Sequence, residues 1–298
     1  MNKVKVITDS CSDLGKELRE KYDMDYALMG IVWGGKEIAA STDGDLFSFK
    51  DMYDALRAGN RIITQQVNAV EFERVFSLYL EQGMDVVYVS LSSKMSGSFN
   101  AGQVVAKQLM KKYPERQVIC VDSLNSCLGE GLIAIEAAKA AMAGATASEV
   151  AAAAEKAVKR AMQFITVESL EYFRRAGRVK AAAAFFGNLF GIKPILINRT
   201  GELEAVKKIK GRKNSLDECV DMLVKSVGCD EFPVEEQTIY VAHADCEQDA
   251  SYLAEAIKAK LNPKEIVLNP IGPTVGATAG PGAISLCAFG NQFATLGE

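Results

Sequence analysis

The sequence predicts an α/β fold in two domains, an N-terminal three-layer α/β/α unit with a parallel sheet and a C-terminal two-layer α/β unit with a mixed sheet. Three observations carry that prediction. Apolar β-rich runs alternate with helical patterns up to about residue 160, the order expected of parallel strands joined by helices and covered on both faces. Past about Phe164 the pattern changes to short strands with turn signals. At 298 residues and 49% hydrophobic, the chain has room for two cores.

Taken in order, a strand is expected at Val4 to Thr8, a helix from near Ser12, a strand near Ala27 to Trp33 and a helix near Phe47 to Ala58. The run Val86 to Leu91 is the next strand, and it stops at a cluster of serines around Gly97 before a helical pattern through Gln103, Val104 and Leu109. A strand at Gln117 to Asp122 precedes alanine-rich helices at Leu128 to Ala143 and Ala147 to Met162, where the domain boundary is drawn: 1–160 and 161–298. Beyond it come strands at Phe164 to Val167 and Ile195 to Ile197, a hairpin turn at Asn198 to Glu202, and a strand at Leu203 to Ile209. A helix at Ser215 to Val227, a strand at Gln237 to Ala242, a helix from about Cys246 to Leu261 and a strand at Glu265 to Leu268 close the pattern as a βαβ-like unit. The stretch Val179 to Leu196 reads as an amphipathic or buried helix, too interrupted by Lys180, Gly187, Lys193 and Pro194 to span a membrane.

Three strand ends carry small polar residues: Thr8-Asp9-Ser10, Ser92-Ser93 and Asp122-Ser123. In open α/β sheets, ligands bind outside the carboxyl ends of the strands. The two aspartates there read first as turn-forming and capping groups. Ser96, Gly97 and Ser98 stand where a strand hands over to a helix, and the first N–H groups of a helix have no intrahelical partner. With the dipole behind them and hydroxyls beside them, such groups suit a carboxylate or phosphate; the alternative is an ordinary N-cap. The segment Ile271 to Gly282 (IGPTVGATAGPG) is dense in glycine and proline, and it reads as a rigid, shaped loop.

A net charge of -4 and a single short basic run, Lys207 to Lys213, argue against nucleic-acid binding, which needs clustered positive charge. Seven cysteines without a C-x-x-C pair suggest neither a disulfide framework nor a zinc site. They read as reduced thiols in a cytoplasmic protein with no metal and no cofactor. A Ser–His hydrolase would need His243, the only histidine, as base for Ser96, but Ser96 does not sit in a G-x-S-x-G elbow. A lone histidine at a strand end reads as structural. No complete catalytic constellation is present, which favours a binding protein over an enzyme.

Seven segments in register resemble the DegV family of bacterial fatty-acid-binding proteins: VITDSCSDL (6–14), ITQQVN (63–68), SLSSKMSGSFNAG (90–102), VDSLNS (121–126), LEYFRRAGRV (170–179), KKIKGRKNS (207–215) and IGPTVGATAGPG (271–282). The resemblance implies two α/β domains holding one long-chain fatty acid between them, with the carboxylate gripped by Thr64 and Ser96. It also implies a separate ATP-dependent fatty acid kinase as partner, to which the carrier presents the acid. A basic contact falls on Lys210 or Arg212. Where the family's last motif has histidine this chain has Thr278, and after Thr64 the family's Ser-Gln-Pro-Ser becomes Gln65-Gln66-Val67-Asn68, which loses a proline and two hydroxyls. The acyl wall is expected in the helical stretch bearing Phe185, Phe186, Leu189, Phe190 and Ile192, in the C-terminal domain. The other reading kept open is a small-molecule binding subunit of a kinase system that holds a polar ligand.

Overall fold

The computed structural model describes residues 4–180 and 191–291. In chain order the elements are β1 (Val4–Asp9), α1 (Lys16–Lys21), β2 (Met24–Ala27), β3 (Gly30–Trp33), β4 (Lys36–Ala39), α2 (Phe49–Arg57), β5 (Ile62–Gln65), α3 (Ala69–Leu80), β6 (Asp85–Ser90), α4 (Ser98–Lys112), β7 (Val118–Asp122), α5 (Cys127–Met142) and α6 (Ala147–Val158). They continue with β8 (Ala161–Thr166), α7 (Glu171–Ala176), β9 (Val179–Lys180), β10 (Ile192–Arg199), β11 (Glu202–Lys210), α8 (Arg212–Ser226), β12 (Thr238–His243), α9 (Glu247–Lys260), β13 (Glu265–Pro270), α10 (Pro273–Ala279) and β14 (Ile284–Phe289).

Four parallel strands in the order β2-β1-β6-β7 form the first sheet. Every residue of β1 and β6 is buried, as a parallel sheet covered on both faces requires. Helices α3 and α4 pack on one face and α5 and α6 on the other, giving the three layers. The second sheet is mixed, in the order β13-β12-β14-β8-β10-β11-β9. It carries α8 and α9 on its outer face, over a core of Phe164, Ile195, Leu223, Val241, Leu253 and Leu286. A third, antiparallel sheet, β4-β3-β5, stands beside the parallel one.

Helix α5 joins the two large sheets. It touches β1 and β6 on one side and β8, β12 and β14 on the other, and its residues are buried nearly all round, from Cys127 to Ala138. The CLGEGLIAIEAAKAAM sequence fits this position, since a helix without a polar face belongs inside a protein. Gly131 lets it lie against the chain after β1: a Cβ there would stand 2.9 Å from the Ser12 carbonyl oxygen.

Several elements differ from the expectation. The run Ala27 to Trp33 is not one strand, because the chain leaves the parallel sheet after β2 and enters the antiparallel sheet at β3. After β1 comes a short 3-10 turn, Ser10–Ser12, with Asp9 as its cap, and α1 begins only at Lys16. Met162 belongs to β8 rather than to the preceding helix, which ends at Val158. Ile192 opens β10, so the helix expected over Val179 to Leu196 is a strand at its C-terminal end; residues 181–190, with Phe185, Phe186, Leu189 and Phe190, lie outside the described residues.

The glycine-rich tail is the largest correction, because its centre is α10 and not a loop. Pro273 occupies the first turn, where no N–H is needed. Gly280 ends the helix at φ 82°. In between, Gly276 lies against α2: a Cβ there would stand 2.4 Å from the Tyr53 hydroxyl, which donates to the Ile271 carbonyl at 2.7 Å. The glycines permit a close helix crossing, which composition alone cannot distinguish from a loop.

Candidate functional site

Between the carboxyl ends of β1, β6 and β7 and the inner face of the mixed sheet lies a cavity of about 870 Å³, counting its open mouth. Its walls are mostly apolar: Met29, Leu91, Ile165, Phe173, Leu203, Ile271, Val275, Ala279 and Ala283 line it. Thr64, Arg178 and Thr278 line both this cavity and an outer cleft that reaches Asn60, Arg61 and Arg175. Those shared residues mark the mouth. Ser126, Cys127, Gln163 and Ser285 line the cavity but not the cleft, and are buried; they form its inner end.

The mouth collects side chains far apart in sequence. Thr64 is in β5, paired with Ile31 of β3, and Thr278 is in the last turn of α10, its hydroxyl donating to the Thr274 carbonyl at 3.3 Å. Ser96 and Gly97 also line the cavity, just before α4. Ser96 Oγ accepts from Ser98 N–H at 3.2 Å and lies 3.0 Å from Ser98 Oγ, so it takes up the first N–H of α4, whose N-cap position is Gly97, while also lining the cavity. Ser98 is fully buried and is not among the lining residues; its hydroxyl accepts from Val67 N–H at 3.2 Å. Ser98 therefore fixes the loop that carries Thr64 and Gln66 rather than lining the cavity.

Neither residue of the basic run lines the cavity. Arg212 is held by Asp249 at 2.8 Å and Glu168 at 3.4 Å, and it donates to the Gly282 carbonyl at 2.7 Å. It anchors the turn after α10 to the start of α8. Lys210 is exposed at the end of β11. The cation that does line the mouth is Arg178, whose guanidinium donates to the main-chain carbonyls of Met95 and Ala176. Its signal in the sequence was its place in LEYFRRAGRV, after the Gly177 that ends α7 at φ 70°. His243 is not among the lining residues, and burial lowers its basicity.

Beneath the cavity floor is a group of buried acids. Asp9 accepts from Cys11 N–H at 3.0 Å, from the Tyr88 hydroxyl at 2.7 Å and from Leu91 N–H at 3.1 Å, so both of its oxygens serve the strand ends. Asp122 likewise accepts from Ser93 and Leu124 N–H groups, each at 3.1 Å. Glu130 accepts from the Thr8 hydroxyl at 2.7 Å, and its second oxygen has no partner among the described residues. Burial raises its pKa well above the ordinary value, with the nearby Asp9 adding to the effect. Asp13 accepts from Gly272 N–H at 2.9 Å, and burial pushes its pKa up to about 7. Ligand atoms of Asp9, Cys11 and Glu130 lie within 4.8 Å of one another. Asp9, however, is already saturated by protein donors, which leaves a cation little to take from it.

Removing the Ser96 hydroxyl isolates its ligand role. Ser96→Ala is expected to weaken binding of an anionic ligand tenfold to a hundredfold, about 1.5–3 kcal/mol, while lowering thermal stability only by the worth of a cap. Titration with the ligand and a melting curve on the same sample check it. Unchanged affinity with earlier melting would leave Ser96 as a cap alone.

Among the described residues no helix is long and apolar enough to cross a membrane. Residues 3–291 match the model of a family described as "Uncharacterised protein, DegV family". A DegV domain-containing protein of Clostridium perfringens is 34% identical over 294 residues, 98% of this chain and 99% of its own. Two solved structures from Thermotoga maritima are similar over nearly the whole chain. One, described as a DegV lipid-binding protein, is 26% identical with a TM-score of 0.83, covering 97% of this chain and 99% of its own. The other, described as revealing a fatty-acid-binding function, is 25% identical with a TM-score of 0.82, covering 96% and 99%.

Proposed function

We propose that this chain, which belongs to the DegV family, binds one long-chain fatty acid between its two domains and presents the carboxylate at the mouth to a separate fatty acid kinase. One observation carries the reading: an apolar cavity lined by the hydroxyl and guanidinium groups of Thr64, Ser96, Thr278 and Arg178, of which Thr64, Thr278 and Arg178 also line the outer cleft. An acyl chain of about fourteen methylenes contributes on the order of 11 kcal/mol by burial before costs. The polar mouth adds orientation more than affinity, since a hydrogen bond to a charged head group is worth ~1.5–3 kcal/mol.

In this reading residues 1–160 supply the anion-binding loops and residues 161–298 most of the acyl wall, with Arg178 and Thr278 reaching back to the mouth. Presentation to a kinase is supported by the cleft beyond the mouth, where Arg61 and Arg175 stand beside Arg178. That arrangement suits a phosphorylated carboxylate and a polyphosphate donor. The carrier itself needs only to hold the acid.

Native mass spectrometry of the purified protein, before and after organic extraction, tests the proposal. A bound mass equal to one long-chain fatty acid is expected, lost on extraction and restored by added acid. No acyl species, together with no uptake of a fluorescent fatty acid by extracted protein, would replace the carrier reading with the polar-ligand one. Acyl-phosphate formation from the loaded protein with a fatty acid kinase and ATP tests the partner.

A further inference from the structure

The inner end of the cavity is not finished as an alkane-binding surface would be. Gln163, 2% exposed, projects from β8 into the lining, and its amide donates from Nε2 to the Ser126 carbonyl at 3.1 Å. That bond fixes which end of the amide is which. It leaves Oε1, an acceptor sealed from solvent, with no donor among the described residues. The Cys287 thiol lies beside the amide and shares a 3.3 Å contact with Ser285 Oγ in which either group can donate. Thr274, 4% exposed, lines the same cavity, and its hydroxyl oxygen is likewise buried without a partner.

A buried acceptor left unpaired is costly, and each such group in a native structure calls for an explanation. A wall meant only for methylenes would be cheaper with leucine at residue 163. We propose that the acyl ligand carries a hydroxyl group toward its methyl end, and that Gln163 Oε1 accepts from it with Thr274 as a second polar partner. The ligand class is a fatty acid hydroxylated in the distal part of the chain. The inference rests on the fatty-acid-binding reading and deepens it. Placement of the hydroxyl far from the carboxylate follows from burial: Gln163 is sealed from solvent, whereas Thr64, Ser96 and Thr278 are half-buried and Arg178 is exposed.

Competition binding to extracted protein tests this with three acids of equal length: palmitic, β-hydroxypalmitic and ω-hydroxypalmitic acid. The wild type is expected to prefer the ω-hydroxy acid over palmitic acid by roughly tenfold or more, and to give the β-hydroxy acid no such advantage. Gln163→Leu should reverse the order, binding palmitic acid more tightly than the wild type does and the ω-hydroxy acid less tightly. Gln163→Met serves where the leucine variant does not fold. A wild type that binds palmitic acid as well as or better than the ω-hydroxy acid overturns the inference, as does a leucine variant that shifts both alike; in either case the inner polar groups are solvated by water. If the wild type binds none of the three acids, the fatty-acid reading itself has failed.

Discussion

Replacing Asp13 with asparagine is expected to flatten the pH dependence of stability between about pH 4 and pH 7 and to leave the variant more stable than the wild type at about pH 8. Asp13 is buried where the chain leaves β1, and its pKa is raised from 3.8 to about 7 by that burial. A carboxyl whose folded pKa lies above its unfolded one holds its proton longer in the native state. Its contribution is therefore most favourable below the unfolded value and is lost progressively as pH rises through the folded value. The gap between 3.8 and about 7 corresponds to on the order of 4 kcal/mol across that window. Asparagine keeps the acceptor that Gly272 N–H uses at 2.9 Å, and it removes the charge. Urea midpoints at about pH 5 and pH 8 for both proteins check this. Parallel wild-type and variant curves would show that Asp13 does not titrate in that range. Asp9 and Glu130, whose pKa values are also raised by burial, set the dependence that remains in the variant.

The same residue shows how far the sequence could be read. The strand ahead of Asp13 and the helices around it followed from β-branched runs and helical periodicity, which are local signals. That Asp13 would meet Gly272, far along the chain, was not local information, and the segment holding Gly272 was read as a loop because glycine and proline normally break helices. Here Pro273 starts a helix and Gly280 stops it, so the same residues punctuate rather than interrupt. Helix α3, strands β4 and β5, and strand β14 escaped the reading too. β14 runs directly out of the glycine-rich segment, and its six residues are buried on both sides; without alternation, so short an apolar run is ambiguous. At the site, Thr64, Ser96, Gly97 and Thr278 were legible through motifs and do line one cavity. The basic contact was placed on Lys210 or Arg212 and not on Arg178, which lines the cavity: which arginine faces a cavity and which an acidic pair depends on where Asp249 and Glu168 fall in space. Gln163 carried no signal, since a lone glutamine in a strand is unremarkable until its surroundings are known to be apolar.

Narrowing the inner end of the cavity is expected to abolish the advantage of long acyl chains without touching short ones. Ala283 and Ile165 both line the cavity, are 1% and 6% exposed, and are absent from the outer cleft. A phenyl ring at 283 or an indole at 165 would project into space that the distal chain otherwise fills. Each buried methylene is worth ~0.8 kcal/mol, so displacing about four of them removes about 3 kcal/mol, on the order of a hundredfold in affinity for a palmitic-length acid. A decanoic-length acid, whose methyl end stops short of the plug, should bind both variants as it binds the wild type. The plot of affinity against chain length is thus expected to rise with the wild-type slope and then level off in Ala283→Phe and Ile165→Trp. Ser96→Ala should behave in the opposite way, lowering every chain length by one common factor, because it acts on the carboxylate alone. Two variants guard against a single misfolded one, since overpacking costs ~1–3 kcal/mol wherever the lumen does not accept the ring. A uniform loss across all chain lengths in both would mean that the acyl chain does not run along Ile165 and Ala283, and that the ligand lies wholly toward the mouth. A plateau at a defined length would instead measure, in methylenes, how deep the cavity is used.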